Sequence, residues 1–315
     1  SNGTVDIGAY EAQSLIVVNT TADETTAGDA SLSLREAIAL ADSDKGPEAI
    51  TISFDPIQNG TITLAMGQLE LSRTSGKVTI DGGGGNVLSL SGNNASRVIQ
   101  VDAGVTAEID DLTITAGHAD QGGGVLNLGT LSVSGSTLTG DSATNAGGGI
   151  SNSAGATLVI TNSTFSGNSG DAIDNAGTLM ATNVTIAGNS GPTAGGGGGI
   201  ATTGSATLFN TIVANNMGGD VSGTLDPSSS HNLIGGDPKL AALANYGGLT
   251  LTMAREPSSP AIDAGDNALA QAAGLSTDQR GLPRVANGTV DIGAYEVQPS
   301  LVVDTTVDET TSVHG

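Results

Sequence analysis

Short apolar stretches alternate with glycine and asparagine along most of the chain. In its middle part, five segments can be stacked on the apolar positions Ile114, Leu138, Phe165, Ile186 and Val213. Successive members of this series differ in sequence number by 24, 27, 21 and 27, and each interval holds two or three strand-like stretches. The period is too long for consecutive hairpins and too short for strand–helix–strand units. The pattern therefore predicts a β-solenoid, in which stacked coils bury one continuous core.

The predicted fold is all-β, a right-handed parallel β-helix whose coils run through residues 50–235. Glycines ahead of the GGGI-type segments allow turn conformations that other residues avoid. Asparagine recurs at one coil position, at Asn162, Asn183 and Asn210. This recurrence predicts an asparagine ladder, in which stacked side-chain amides hydrogen-bond along the solenoid axis.

One segment, residues 32–42, has a helical rather than a strand-like pattern. Its apolar residues Leu34 and Ile38 fall on one face, and either Ser31 or Ser33 is placed to cap the helix. An open β-helix end exposes unpaired strand edges. We therefore expect this short helix to cover the first coil.

A longer repeat spans the chain. The decapeptide NGTVDIGAYE occupies Asn2–Glu11 and recurs unchanged at Asn287–Glu296, 285 positions later. The similarity continues from Gln13–Thr26 to Gln298–Thr311. The chain thus holds one full unit of this repeat and the opening of the next. Because its first residues already belong to the repeated motif, we expect an interior segment of a longer protein.

The two patterns together predict five parts of the chain. They are the end of a preceding repeat with a linking strand (1–26), an N-terminal cap with the helix (27–49), the coils (50–235), C-terminal loops with a terminal strand (236–296), and the start of the next repeat (297–315). We expect the tail of one unit to complete the first coils of the next, within one chain or between subunits. The expected partners are neighbouring copies of the repeat, end to end.

Charge and composition exclude several function classes. The chain has 9 Lys and Arg against 32 Asp and Glu, for a net charge of −23, which repels nucleic-acid phosphates and anionic membranes. It has no apolar run of the roughly 18 residues that a spanning helix needs, so we expect no direct membrane insertion of this segment. Cysteine and tryptophan are absent, which rules out disulfides and thiol chemistry.

Several motifs resemble those of a group of bacterial surface proteins. The stretch SLSLREAIALAD resembles the "CSLREA" motif without its cysteine. The coil series resembles pectate-lyase-like right-handed parallel β-helices. The stretches HNLIGGDPKL, SPAIDAG and DIGAYE resemble the end of the choice-of-anchor Q domain. The resemblance implies large, exported, multi-domain bacterial proteins with an extracellular or cell-surface localisation.

Some β-helix proteins of this class are polysaccharide lyases or hydrolases, so carboxylate pairs are relevant. Glycoside hydrolysis needs two carboxyl groups about 5–10 Å apart. Asp171 and Asp174 are the best-placed pair, whereas the adjacent Asp110 and Asp111 should point to opposite faces. Residues 105–235 contain no Lys, Arg, Trp or Tyr, and so lack a usual lyase base and a sugar-stacking ring. We therefore expect no enzymatic activity.

Acidic loops near the C-terminus offer weak candidates for calcium binding. Their carboxylates are those of Asp263, Asp266 and Asp278. Solvated acidic loops are the simpler interpretation. The interpretation that we favour pairs Arg280 or Arg284 with Asp263 or Asp291, because bidentate arginine–carboxylate bonds would pin the terminal loops.

These observations favour one function over two alternatives. We expect a non-enzymatic structural unit of a long extracellular fibre, stalk or giant surface protein, with no cofactor apart from the weak calcium candidates. The first alternative is an adhesin module that binds a glycan or another cell, and it would need an exposed groove or aromatic patch. The second is a polysaccharide lyase or hydrolase.

Overall fold

The computed structural model describes residues 14–26, 30–55, 60–83, 87–191 and 197–299. In these ranges, short strands follow one another through three parallel sheets, which we name A, B and C. Each coil of the chain passes from sheet A to sheet B to sheet C and then begins again in sheet A. The predicted all-β parallel β-helix is therefore confirmed.

The strands within each sheet follow chain order along the solenoid. Sheet A consists of Ser14–Val18, Ile50–Phe54, Val78–Asp81, Thr106–Asp110, Thr130–Ser134, Thr157–Thr161, Thr178–Thr182 and Ser205–Phe209. Sheet B consists of Gly60–Thr63, Leu88–Ser91, Thr113–Thr115, Thr137–Thr139, Thr164–Ser166, Thr185–Ala187, Ile212–Ala214 and Leu233–Ile234. Sheet C consists of Leu69–Leu71, Ile99–Val101, Val125–Asn127, Ile150–Asn152, Ile173–Asn175, Ile200–Thr202 and Val221–Ser222. A small outer pair joins His118–Gln121 to Ser142–Ala146.

Strand register places like side chains over like. In sheet A the inward column is Ile52, Ile80, Ile109, Val133, Ile160, Ala181 and Leu208. In sheet B it is Ile62, Leu90, Ile114, Leu138, Phe165, Ile186 and Val213. All of these side chains are buried, and burial of one aliphatic side chain contributes about 1.5–3 kcal/mol. The alternation of strand residues thus forms a continuous apolar core.

The first coil is covered by helix α1 (Leu34–Ser43), which contacts the strands Ser14–Val18, Ile50–Phe54 and Leu69–Leu71. Leu34 and Ile38 lie buried on its inner face. Of the two serines considered, Ser33 is the N-cap: its hydroxyl accepts from the Glu36 N–H, and the Glu36 carboxylate accepts from the Ser33 N–H at 2.9 Å. This reciprocal capping box satisfies two amides at the start of the helix.

After the last strand of sheet B, the chain turns back and runs along the outside of that sheet. We call residues 237–299 the C-terminal region. It contains the isolated antiparallel bridges Leu240–Arg255 and Ala244–Thr252 and a short helix α2 (Asn267–Ala272). The outward threonines of sheet B, Thr137, Thr164 and Thr185, are buried, because the C-terminal region contacts them. Within the described ranges, no helix has the length and apolar character needed to cross a membrane.

Candidate functional site at the two ends of the repeat

The asparagine column predicted from the sequence lies at the turn between sheets A and B. Asn162, Asn183 and Asn210 adopt left-handed backbone conformations with φ of 44°, 55° and 46°, which asparagine tolerates better than most residues. Asn210 Nδ2 donates to Asn183 Oδ1 at 3.3 Å. The column does not form the expected continuous ladder, because the Asn162 amide is directed outward to the C-terminal region.

The same column holds the C-terminal region against the solenoid. Asn162 Nδ2 donates to the carbonyl of Thr277 at 2.7 Å, and Asn183 Nδ2 donates to the carbonyl of Asp291 at 3.1 Å. The third residue makes two bonds to Asp266: its Nδ2 donates to the carbonyl at 2.9 Å, and its Oδ1 accepts from the N–H at 2.8 Å. The column is therefore a docking strip.

Amide ladders occur at two other coil positions. In sheet C, Asn127 Nδ2 donates to Asn152 Oδ1 at 2.8 Å, and Asn152 Nδ2 donates to Asn175 Oδ1 at 2.7 Å. The next coil ends this ladder with Thr202, whose hydroxyl accepts at 3.0 Å. The signal was present in the sequence as the asparagine that ends each of the segments GGGVLN, GGGISN and GDAIDN.

The second ladder closes the coils after sheet B. Asn168 Nδ2 donates to Asn189 Oδ1 at 3.0 Å, and Asn189 Nδ2 donates to Asn216 Oδ1 at 2.9 Å. Asp141 precedes Asn168 in this column, and its N–H donates to Asn168 Oδ1 at 3.1 Å. Its Oδ1 accepts from Gly117, whereas its Oδ2 has no hydrogen-bond partner in the described part of the chain. Burial raises the pKa of Asp141 well above its ordinary value.

Three arginines and three carboxylates form a buried network at the end of the unit. The ion pairs are Arg280–Asp278 at 2.6 Å, Arg284–Glu296 at 3.3 Å and Arg255–Asp291 at 4.0 Å. These differ from the pairs expected from the sequence, which joined Arg280 or Arg284 to Asp263 or Asp291. The difference arises because Arg284 reaches Asp291 only at its carbonyl (3.2 Å), and Asp263 contributes its N–H to the Asp291 carboxylate (2.7 Å).

The acidic residues of the repeated motif close the loop in which they lie. The Asp291 carboxylate accepts the N–H groups of Asp263 and Val297, the latter at 2.8 Å. The Glu296 carboxylate accepts the N–H groups of Asp291 at 2.8 Å and Ala286 at 3.2 Å. Burial raises the pKa of Glu296 to about 7, even though Arg284 and these N–H donors act in the opposite direction. The motif thus folds around its own two carboxylates.

Aromatic and cationic groups cover this network. The Arg280 guanidinium lies 3.5 Å from the centre of the Tyr295 ring, a cation–π contact. The Tyr246 ring meets Tyr295 edge-on at 6.1 Å between centroids. Burial lowers the pKa of Arg255 to about 10, and its Nε and Nη2 have no hydrogen-bond partner among the described residues. Sequence reasoning missed Arg255 and Glu296, although Glu296 repeats Glu11.

The motif also requires its glycine. Gly293 has a φ of +98°, and its N–H donates to the carbonyl of Asn210 at 2.6 Å. A Cβ built on Gly293 would lie 2.7 Å from both Thr185 Oγ1 and Arg255 Nη2. The next residue, Ala294, donates its N–H to Thr185 Oγ1 at 3.0 Å. The motif is therefore pressed directly against the turn that enters sheet B.

The three calcium candidates have separate structural tasks. Asp263 is exposed and donates its N–H to Asp291, and Asp266 caps helix α2 by accepting from Ala268 N–H at 2.7 Å. Asp278 accepts from Arg280 and from the Glu296 N–H at 2.9 Å. Across the described ranges, no group of three or more His, Asp or Glu side chains is arranged to hold a metal ion.

The carboxylates considered for catalysis are buried or half-buried along the coils. Burial and the neighbouring Asp174 raise the pKa of Asp171 to about 6, and burial raises that of Asp174. Burial, with Glu108 as the next cause, raises the pKa of Asp110 to about 7. Burial, with the nearby Asp81 carboxylate, raises that of Asp111 to about 6. Burial is the largest cause in every case.

At the other end of the unit, the part of the repeated segment that the structure describes forms the first strand of the solenoid. Ser14–Val18 pairs in parallel with Ile50–Phe54 as the first strand of sheet A. Shortly after this strand, Asp23 accepts from Arg35 at 2.7 Å and from the N–H groups of Ala65 at 2.7 Å and Met66 at 2.9 Å. Burial raises the pKa of Asp23, but these donors outweigh it and keep the pKa below its ordinary value.

The repeated segment therefore has two halves with different positions. Its motif half, seen at Asn287–Glu296, closes the C-terminal region, while the copy at Asn2–Glu11 lies outside the described residues. Its strand half, seen at Ser14–Val18, starts sheet A. The residue that corresponds to Ser14 in the following unit is Pro299. Only Val297 and Gln298 stand between the end of the motif and that residue.

Comparisons with known proteins give related sequences and a structural likeness. No family model matches the chain. It is 32% identical over 143 residues to outer membrane protein B of Rickettsia conorii (strain ATCC VR-613 / Malish 7), covering 44% of this chain and 8% of that protein. It is 31% identical over 183 residues to outer membrane protein B of Rickettsia rickettsii, covering 55% of this chain and 10% of that protein. The chain therefore spans a tenth or less of the length of these relatives.

The structural likeness is to the crystal structure of pectate lyase Pel9A, with 14% identity and a TM-score of 0.32, covering 91% of this chain and 97% of that one. At these values the likeness carries no conclusion about activity. The outer-membrane relatives agree with the cell-surface localisation predicted from the sequence. The resemblance to CSLREA and choice-of-anchor Q proteins stays a prediction.

Proposed function

We propose that the chain is a non-enzymatic structural unit of an extracellular, cell-surface protein, in which units of this repeat follow one another along the chain. The observation that carries this proposal is the division of the repeated segment. One half closes the end of a unit through Asp291 and Glu296. The other half forms the first strand and the cap contacts of a unit.

The short connection supports a stalk or fibre rather than loosely tethered modules. Val297 and Gln298 are both half-buried. The Val297 N–H donates to the Asp291 carboxylate at 2.8 Å, and Gln298 Nε2 donates to the Pro283 carbonyl at 3.0 Å. A connection that is held at both of its residues leaves little freedom between units, in contrast to a flexible linker.

The sequence of the coils supports a structural role over catalysis. Residues 105–235 contain no Lys, Arg, Trp or Tyr, so they supply neither an arginine or lysine base nor a tryptophan or tyrosine ring on which a sugar could stack. The name of the relatives, outer membrane protein B, supports a surface protein. An adhesin module is the alternative if the units prove not to be joined.

Cryo-electron microscopy of the native cell surface, or of protein stripped from it, tests the proposal. We expect elongated particles whose density repeats once per unit, with coils spaced at about 4.8 Å. Isolated particles without contacts between units would instead favour an adhesin module. Release of reducing sugar or of unsaturated product from a polysaccharide panel, abolished in Asp171→Asn, would contradict the non-enzymatic assignment.

A further inference from the structure

The position of the chain exit limits how two consecutive units can be arranged. Gln298 is bonded to Pro283, which forms a bridge with Thr277. The Thr277 carbonyl in turn accepts from Asn162 at 2.7 Å. Pro299, the first residue of the next unit, follows Gln298 directly, so their Cα atoms are about 3.8 Å apart. The next unit therefore begins at the side of the solenoid, at the level of the coil of Asn162 and separated from it by the C-terminal region.

That coil is not the last one. Backbone bonds lead from Asn162 to Thr182, from Asn183 to Phe209, and from Asn210 to Ser230. The exit thus lies three coils, or about 14 Å, before the end of the solenoid. A cap helix placed on the last coil would add about 10 Å more. The first strand of a unit stacked coaxially on this one is therefore out of reach of Pro299.

The end of the solenoid is also closed to strand continuation in sheet A. Its last strand, Ser205–Phe209, has its carbonyls bonded by the following loop. The Asp226 N–H donates to the Ala206 carbonyl at 2.7 Å, and the Ser230 N–H donates to the Leu208 carbonyl at 3.1 Å. Another unit cannot extend this sheet without displacing that loop.

We infer that the next unit packs sideways against the C-terminal region of this one, with the outer face of its sheet A as the contact surface. This inference rests on the proposed function, since it requires consecutive units. The partner is thus a second copy of the unit. The interface is heterologous, because the C-terminal region of one copy meets the first strands of the other.

Exposed apolar side chains lie on both surfaces that this arrangement brings together. On the C-terminal region, Leu282 and Val285 are 39% and 42% exposed and flank Pro283. Val285 borders an open hollow of about 350 Å³ beside helix α2. On the first strand, Leu15 and Val17 point outward and are 63% and 43% exposed. In the unit that follows, the corresponding residues are Ser300 and Val302. Contact between the two surfaces would remove Leu282, Val285 and the apolar side chain at the position of Val17 from water, which is favourable in proportion to the apolar area buried.

A two-unit chain tests the inference at its natural junction. Because Gly315 corresponds to Ala30, residues 1–315 followed by a second copy of residues 31–299 give two complete units. The chain contains no cysteine, so introduced pairs can be cross-linked with a short bis-maleimide without background. Val285→Cys in the first unit is combined with Ser53→Cys in the second. Ser53 is chosen because it lies opposite Val17 in the strand register.

A second pair of cysteines is placed so that it can be cross-linked only if the two units are coaxial. It combines Met217→Cys, at the far end of the first solenoid, with Leu40→Cys on the outer face of the second cap helix; both side chains are exposed. We expect efficient cross-linking of the first pair and none of the second. Cross-linking of the second pair alone, or of neither pair, would overturn the inference.

Each single-cysteine variant serves as the control for cross-linking between separate chains. The circular dichroism of every double variant checks that the units remain folded. Small-angle scattering gives a second readout, because sideways packing shortens the particle relative to two coaxial solenoids. A failure of the proposed function would be seen separately, as native surface protein without a repeating unit. Failure of the inference alone would leave that repeat in place with units that are coaxial or independent.

Discussion

The coils and the C-terminal region bury polar groups in opposite ways. In the coils, the amides of the two ladders bond to like amides one coil away, as Asn127 does to Asn152 and Asn152 does to Asn175. In the C-terminal region, groups such as Arg284 and Glu296 bond to unlike partners that occur once in the unit. The comparison shows that the coils have a redundant, periodic source of stability, whereas the C-terminal region depends on single contacts.

Arg284→Ala should have the largest effect and should act on the C-terminal region first. Arg284 is buried and donates to the carbonyls of Gly293 and Ala294 and to Glu296. Its removal leaves the Glu296 carboxylate buried without its cation, which typically costs about 3–5 kcal/mol. Urea unfolding with tyrosine fluorescence measures this effect, since two of the three tyrosines, Tyr246 and Tyr295, lie in the region and the chain lacks tryptophan.

Circular dichroism in the same titration separates the two regions. We expect the tyrosine transition of Arg284→Ala to move to lower urea while the β-sheet signal of the coils persists. Gln271→Ala, at an exposed residue of helix α2, is the matched control and should change little. If both signals shift together, the coils depend on the C-terminal region and the contrast between them is wrong.

Asn152→Ala should cost about 2–3 kcal/mol and act on the coils instead, because each buried group left without a partner costs about 1–3 kcal/mol. Its amide donates to Asn175 and to the Thr178 carbonyl and accepts from Asn127. Truncation removes all three bonds at once. Asn162→Ala is the matched variant on the docking strip, and it should lower the tyrosine midpoint alone.

The coils should lose about 1–2 kcal/mol of stability as the pH rises from about 4 to about 8, after allowance for partial solvent screening. The folded state raises the pKa of Asp110 to about 7 and those of Asp111 and Asp171 to about 6. A carboxyl with a raised pKa stabilises the fold fully below its unfolded pKa, and this stability is lost as the pH passes through the folded pKa. Urea midpoints followed by circular dichroism at pH 4, 6 and 8 measure the slope. A midpoint that rises with pH would show that these carboxyls do not control the coils.

Asp141→Asn should stabilise the coils by about 1 kcal/mol at pH 8 and have less effect at pH 4. The Asp141 Oδ2 has no partner among the described residues, whereas the Nδ2 atoms below it in the ladder donate to carbonyls such as that of Leu138. An amide would complete the ladder and remove a carboxyl whose pKa is raised because burial disfavours its charged form. Asn168→Asp is the reciprocal variant and should destabilise more at pH 8. Equal midpoints for Asp141→Asn and the parent at both pH values would contradict this account.

Periodic features of the molecule could be predicted, and features made by single contacts could not. The column of Ile114, Leu138 and Phe165 was found from spacing because a period repeats the same environment many times. The helix face of Leu34 and Ile38 followed from its own periodicity. The docking of Asn162 on Thr277 joins residues 115 positions apart, and nothing in the local pattern indicates such a contact.

By itself, the sequence determined the all-β solenoid, the position of its cap helix and the long repeat that begins at Asn2 and again at Asn287. These are set by local alternation, which fixes the inward face of each strand, and by period, which fixes what stacks on it. Only the tertiary structure decided that the C-terminal region folds back along sheet B, that Arg284 pairs with Glu296 rather than Asp291, and where the chain leaves at Pro299. Those outcomes depend on which unlike surfaces meet in space, because a buried charge takes the partner that geometry brings within reach.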